Sequence, residues 1–255
     1  MRIPHDLLPA GVVIAVERSD DADLDVRAAA VGIEVYAADL HPKRQREFLA
    51  GRLAARTALQ QMQAHTLAVG RDGNAPIWPA GFCGSISHGA DLAAAIAAPS
   101  PSWRSLGLDI EARIGTNRMR ALRFALSDDE MRICEASADP WAWTRYWSAK
   151  EAVFKCCAAL GHRPTLQSLQ PAWRDTGHGT VDVVISNTAL RIDLVGGVAD
   201  EAMWMIASMR DATADLPDET ARPAVAGFEI VSPLQTGAEN AQGFAQLGAN
   251  GTAAA

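Results

Sequence analysis

The apolar residues follow two spacings along the chain. After His41-Pro42, Phe48, Leu49, Leu53, Leu59 and Met62 recur at helical intervals among several alanines, which predicts a helix of about 22 residues. A second helix is predicted from Asp139-Pro140, an N-cap followed by proline at the first helical position, to about Leu160, with Gly161 and Pro164 as its stop. Trp143, Trp147, Glu151 and Lys155 recur every four residues along it. Short runs of strand character surround these helices. They are Val12–Val16, then Ser85–His88 and Leu92–Ala98 joined by the turn Gly89-Ala90-Asp91, then Val181–Ser186, Leu190–Leu194 and Met203–Met209 at hairpin-like spacing. Gly107–Glu111 reads as the end of a further strand.

Polar and glycine-rich stretches divide these elements. Asp20–Asp25 reads as an acidic turn of solvated surface, Gly70–Gly84 as a long loop, and Ala98–Ser105 as a connector. Asn117–Leu126 reads as a basic helix, and Ser127-Asp128-Asp129-Glu130 opens another short helix with a capping box. Periodicity is lost after about Asp211, and Gly237–Ala255, rich in Gly, Ala, Asn and Gln, is expected to be disordered or merely appended. Each half has a helix of about 20 residues followed by paired strands, a loose internal echo without sequence identity behind it.

Composition narrows the class. At 255 residues the chain is one large domain or two small halves with ample length for a core. A net charge of −7 argues against generic nucleic-acid binding. Cys83, Cys134, Cys156 and Cys157 show no C-x-x-C spacing and suit free thiols in a reducing cytoplasm. The short run Gly11–Val16, bracketed by His5, Asp6 and Glu17, is too brief for a signal peptide, and no apolar run approaches the roughly 18 residues of a membrane span.

The candidate chemistry lies on two stretches. Side chains two apart on a strand share a side, so Asp109 and Glu111 can aim at one point while Leu108 and Ile110 face the core. Glu151 and Lys155 share a helix face, with Lys150 one residue aside. Three carboxylates and two ammonium groups brought together would hold a hard divalent cation and a phosphorylated ligand. Plainer readings compete. An exposed Asp-x-Glu commonly does nothing, Glu151 and Lys155 can be an intrahelical pair worth about 0.2–0.5 kcal/mol, and Ser148-x-x-Glu151 fits a capping box, though Asp139-Pro140 is the better start. On the first long helix, Lys43, Arg44, Arg46, Arg52 and Arg56 stand against Glu47 alone, and Arg52 and Arg56 lie one turn apart on one face. That cluster is either a solvated basic face or a seat for an anion, and arginine suits phosphate because it donates bidentately. His88, at a strand end beside a turn, is either structural or a phosphate contact.

Gly84-Ser-Ile-Ser-His88, Gly107-Leu-Asp-Ile-Glu111 and Trp147-Ser-Ala-Lys-Glu-Ala-Val-Phe-Lys155, in that order, resemble the Sfp-type 4′-phosphopantetheinyl transferases. Glu47–Arg56 and the Trp78-Pro79 loop look most like the branch typified by the enterobactin synthetase component D of siderophore synthesis. The likeness covers about residues 40 to 165, is thin elsewhere and is absent from the tail. It implies an α+β pseudo-dimer of two similar halves, each a long helix packed on a small antiparallel sheet, with the active site in the cleft between them. The halves would be residues 1–100 and 106–212, with 213–255 as a tail.

The resemblance also implies the reaction. The 4′-phosphopantetheine arm of coenzyme A would pass to a serine of an apo carrier protein, releasing adenosine 3′,5′-bisphosphate, in siderophore or other secondary-metabolite synthesis in the cytoplasm. Peptidyl, aryl or acyl carriers are the implied partners, and the chain would act as a monomer. By similarity, Asp109, Glu111 and Glu151 would ligate Mg²⁺, and Glu151 or a metal-bound water would accept the serine proton. Lys150 and Lys155 would grip the pyrophosphate, Arg56 and His88 with Arg52 nearby would hold the 3′-phosphate, and Ser87 would add a phosphate contact. One position departs from the pattern: many relatives carry a basic residue before the proline of the Gly-rich loop, where this chain has Ala75 before Pro76, with Arg71 as the candidate substitute. Two other classes compete with the transferase, a different Mg²⁺-dependent enzyme that cleaves a pyrophosphate and a non-catalytic coenzyme A-binding scaffold of a synthase complex.

Overall fold

A computed structural model describes residues 1–33, 40–115, 118 and 122–210. Helix α2 (Pro42–Gln61) lies against a three-stranded antiparallel sheet of β1 (Val13–Arg18), β5 (Leu92–Pro99) and β4 (Phe82–Gly89). Helix α4 (Ala142–Ala158) lies against a five-stranded antiparallel sheet. Its strand order is β6 (Trp103–Ala112), β10 (Ala202–Arg210), β9 (Thr188–Ala199), β8 (His178–Ile185) and β7 (Ala172–Trp173). The fold is thus mixed α and β with antiparallel sheets. A small hairpin of β2 (Gly70–Asp72) and β3 (Ala75–Ile77), and the short helices α1 (Leu24–Ala29) and α3 (Asp128–Ala136), complete it. Among the described residues no helix is long and apolar enough to cross a membrane.

Strand alternation explains the layering. On β5, Leu92, Ala94, Ile96 and Ala98 join Leu106, Leu108, Ile110, Trp204 and Ile206 in a core between the two sheets. The intervening Ala95 and Ala97 face Ala54, Ala55, Ala58 and Leu59 of α2. On the far side, Ala149, Ala152, Val153, Cys156 and Cys157 of α4 pack on Met203, Met205 and Ala207 of β10. Burying both faces explains why β5 is an almost unbroken apolar run.

The face of β6 turned toward α4 carries Ser105, Gly107 and Asp109, and they meet that helix in register. Ser105 Oγ donates to Cys156 O at 2.7 Å, Gly107 lies against Ala152 O, and Ser148 Oγ donates to Asp109 Oδ2 at 2.9 Å. Two residues of strand advance about 6.7 Å and four of helix about 6 Å, so strand and helix stay matched over three successive contacts. A methyl group at position 107 would sit 1.9 Å from Ala152 O. Gly107→Ala is therefore expected to lower the free energy of unfolding by about 1–3 kcal/mol through overpacking. Chemical denaturation reads this directly, and an unchanged midpoint would show that the helix moves aside without cost.

Several predicted elements shift. The Gly70–Gly84 loop contains the β2/β3 hairpin, because Gly73 takes φ +55° at its turn. The acidic stretch Asp20–Asp25 is not merely solvated. Leu24 opens α1 fully buried, Asp21 pairs with Arg27, and Asp25 pairs with Arg46. Helix α4 starts two residues after Pro140 and stops two short of Leu160. Asp139 Oδ1 accepts from Trp141 N at 2.9 Å, and Gly161 at φ +77° ends the helix. The capping box of Ser127 and Glu130 is present at α3. Residues 117 and 119–121 of the predicted helix Asn117–Leu126, and the tail beyond 210, lie outside the described residues, and 123–125 form a turn.

Candidate functional site

Asp109 is the node of the site. It is buried, at 4% exposure, and both carboxylate oxygens are engaged. Lys155 Nζ donates to Oδ1 at 2.8 Å, Ser87 Oγ donates to Oδ1 at 3.2 Å, and Ser148 Oγ donates to Oδ2 at 2.9 Å. Ser87 comes from β4 of the three-stranded sheet, whereas Asp109, Ser148 and Lys155 come from β6 and α4. The contact thus joins the two layers. Ser87 Oγ also accepts from Ile110 N at 3.2 Å and from Lys155 Nζ at 3.0 Å. The strands come this close because Gly89, at the end of β4, has no side chain; a Cβ there would lie 2.3 Å from Ile110 O. The third donor of Lys155 goes to Leu108 O at 2.9 Å.

Glu111, two residues along, shares that side of β6. Trp147 Nε1 donates to its Oε1 at 2.9 Å, and Arg118 Nη1 donates to its Oε2 at 3.1 Å, with the Arg118 guanidinium 5.9 Å from the Trp147 ring centre. Glu151 is half-buried and is not turned out to solvent. Burial raises its carboxyl above the usual range, the Lys155 charge partly offsets this, and the charges of Asp109 and Glu111 raise it further. The three carboxylates therefore share one electrostatic neighbourhood. They are not drawn into a coordination sphere: among the described residues no three His, Cys, Asp or Glu side chains converge as a metal site. The reason is visible in the contacts, since Asp109 and Glu111 spend their lone pairs on Lys155, Ser87, Ser148, Trp147 and Arg118. The donor set itself, three hard carboxylates with mutual repulsion to relieve, suits Mg²⁺.

Lys150 corrects an expectation. It is fully buried and points away from this cluster into the junction with α3. Its Nζ pairs with Glu130 Oε2 at 2.8 Å and donates to Leu166 O at 3.0 Å and Leu169 O at 2.6 Å. With three partners for three donors and no exposure, it has nothing to offer a pyrophosphate. One step along a helix turns a side chain by about 100°, enough to send neighbours of Glu151 to different surroundings.

The basic face of α2 divides into separate groups. Arg46 is a structural clamp, donating from Nε to Ser19 O at 2.7 Å. Arg44 meets His88 Nε2, and Glu47 Oε2 lies 3.4 Å from His88 Nδ1. Burial, reinforced by the charges of Arg44 and Lys155 and opposed by Glu47 and Asp109, lowers the His88 pKa, so the ring is neutral at pH 7. His88 thus joins α2 through Arg44 and Glu47, not through Arg52 and Arg56. Arg56 is half-buried, with no hydrogen bond or ion pair among the described residues. Arg52 is almost fully buried, its guanidinium 4.8 Å from the ring centre of Phe48.

Residues missed by sequence reasoning are Ser148, Trp147, Arg118 and Glu47. Ser148 was legible, since it lies seven residues before Lys155 and so on the same side of the helix. Arg118 was not, because its contact depends on how the chain turns after β6. All four cysteines are free. Burial pushes Cys134 and Cys156 up to about 12 and Cys83 and Cys157 up to about 11, which favours the protonated thiol near neutral pH.

Comparison with known proteins agrees with the motifs. Residues 34–98 match the 4′-phosphopantetheinyl transferase N-terminal domain, and residues 105–199 match the 4′-phosphopantetheinyl transferase superfamily. The chain is 38% identical over 133 residues to enterobactin synthase component D of Salmonella typhimurium, covering 51% of this chain and 54% of that protein. It is 37% identical over 106 residues to the 4′-phosphopantetheinyl transferase Npt of Nocardia iowensis, covering 41% and 46%. The chain thus spans about half the length of the curated relatives it matches. Among solved structures, the holo-[acyl-carrier-protein] synthase of Thermotoga maritima aligns at a TM-score of 0.33 and 13% identity over 41% of this chain and 62% of that one, a likeness too slight to build on. With matches on both sides of the Ser87–Asp109 contact and their motif residues gathered at one node, the chain belongs to the 4′-phosphopantetheinyl transferase superfamily.

Proposed function

We propose that the chain transfers the 4′-phosphopantetheine arm of coenzyme A to a serine of an apo carrier protein, in siderophore or other secondary-metabolite synthesis in the cytoplasm. Residues 1–100 and 106–212 would be the two halves of a pseudo-dimer acting as a monomer, with the site in the cleft between them. The observation that carries this is the buried node where Ser87 from one sheet meets Asp109, Ser148 and Lys155 from the other, with Glu151 beside it. The mirrored layering, α2 on one sheet and α4 on the other, supports the two-halves reading.

Asp109, Glu111 and Glu151 would hold Mg²⁺, which when bound would neutralise charge on the diphosphate. The rest falls to this chain's own side chains. The carrier serine oxygen bonds to the phosphorus bearing the pantetheine arm. The bond from that phosphorus to the bridging oxygen breaks, and adenosine 3′,5′-bisphosphate leaves with that oxygen. Glu151, raised by burial and by two neighbouring carboxylates, is the base that takes the serine proton. Lys155 positions Asp109 and supplies positive charge at the diphosphate. Arg56 and His88, with Arg52 nearby, would hold the 3′-phosphate.

Intact-mass measurement tests this directly. Protein, Mg²⁺ and coenzyme A incubated with apo peptidyl, aryl and acyl carriers should add one phosphopantetheine mass to at least one of them. No addition on any carrier would sink the proposal. Nucleotide released from coenzyme A without a carrier would favour a pyrophosphate-cleaving enzyme, and coenzyme A binding without turnover would favour the scaffold.

A further inference from the structure

Arg118 is a charge beside the site to which the transferase reading gives no task. Its Nη1 donates to Glu111 Oε2 at 3.1 Å, while the other oxygen, Oε1, takes the neutral donor Trp147 Nε1 at 2.9 Å. The guanidinium stands 5.9 Å from the Trp147 ring centre, and the Arg118 backbone N–H donates to Gly115 O at 3.0 Å. The two cations of this neighbourhood are held differently. Lys155 donates to Ser87, Leu108 O and Asp109, and its side chain is 29% exposed. Among the described residues the Arg118 guanidinium has the Glu111 carboxylate and the Trp147 ring, and its side chain is 49% exposed. Lys155 is built into the fold, whereas Arg118 can turn out to water by giving up one half-exposed ion pair, a weak contact.

Glu111 also belongs to the carboxylate set that suits Mg²⁺, and the two tasks conflict. A Mg²⁺–oxygen bond is about 2.1 Å long, so a guanidinium kept on the same carboxylate would sit within about 5 Å of the ion. A divalent ion and a guanidinium at that separation repel enough to cost about tenfold in affinity even at the permittivity of water. Trp147 raises no such conflict, because an indole N–H carries no charge. A diphosphate brought to the same point removes the penalty, since its negative oxygens offset both positive charges.

We propose that Arg118 competes with the divalent cation for Glu111, so that the metal binds weakly by itself and tightly together with coenzyme A. The inference rests on the transferase reading and its Mg²⁺ site, and adds to them a regulation: Arg118 keeps the carboxylate paired until the anionic co-substrate arrives.

Mn²⁺, which takes the same oxygen donors as Mg²⁺, is the probe, because its free-ion electron paramagnetic resonance signal falls on binding. No carrier and no turnover are needed. Arg118→Ala should bind Mn²⁺ alone about tenfold more tightly than the wild type. With saturating coenzyme A, after correction for the ion held by free coenzyme A, that gap should nearly close. Arg118→Lys keeps the charge and should stay near the wild type, whereas Arg118→Gln keeps a donor without charge and should behave as the alanine variant. Arg118 is exposed, so circular dichroism should show all three variants folded. If Arg118 merely props Glu111, the alanine variant will bind Mn²⁺ alone no more tightly than the wild type, and that result would overturn the proposal. An equal gain with and without coenzyme A would overturn it as well. No Mn²⁺ binding by the wild type, even with coenzyme A, would remove the metal site along with it. Carrier modification by the wild type, measured alongside, shows whether the transferase reading falls too or stands alone.

Discussion

Asp109→Asn is expected to cut carrier modification by about a hundredfold to a thousandfold, the scale of losing one preorganised electrostatic group at a reaction centre. The substitution keeps the shape and an oxygen for Ser148 Oγ but removes the charge that Lys155 faces at 2.8 Å. Lys155 then loses its counter-ion, and Glu151 loses one of the two carboxylates that raise it. The charge available for Mg²⁺ falls as well. Initial rates of mass addition at saturating coenzyme A and several Mg²⁺ concentrations measure the loss. Turnover within a few-fold of wild type would show that the node only holds the two sheets together.

Lys150→Ala should fail differently, by unfolding and not by losing its substrate. Lys150 is fully buried against Glu130, which is itself 6% exposed and has one carboxylate oxygen, Oε1, with no hydrogen-bond partner. Removing the lysine leaves that carboxylate uncompensated in the core, a loss of about 3–5 kcal/mol. For a domain of this size that is a fall in melting temperature of about 10 °C. A Lys150→Met, Glu130→Gln double variant should recover much of it, because a neutral pair of similar volume has no buried charge to compensate. Below its lowered melting point, Lys150→Ala should bind coenzyme A as the wild type does. A variant that melts normally but binds coenzyme A poorly would restore Lys150 to the ligand site.

Local rules carried a long way here. Asp109 and Glu111 share a side of β6 because strand side chains alternate, and Leu108 and Ile110 are fully buried for the same reason. The β4/β5 hairpin and its turn at Ala90 and Asp91, and the capping box at Ser127, were all readable from residue type and spacing. The β2/β3 hairpin was not, since two three-residue strands among glycines and prolines carry no periodic signal.

The amino-acid sequence by itself determined which residues are chemically able to act, because that follows from side-chain type and from spacing within one strand or one helix. Only the tertiary structure decided which of them meet. Ser87 and Lys155 reach Asp109, Lys150 is spent on Glu130, and Arg71 comes to stand beside Arg52. The reason is physical. A helix turns each successive residue by about 100° and a sheet pairs strands far apart in the chain, so neighbours in sequence are parted and distant residues joined by packing that no local spacing records.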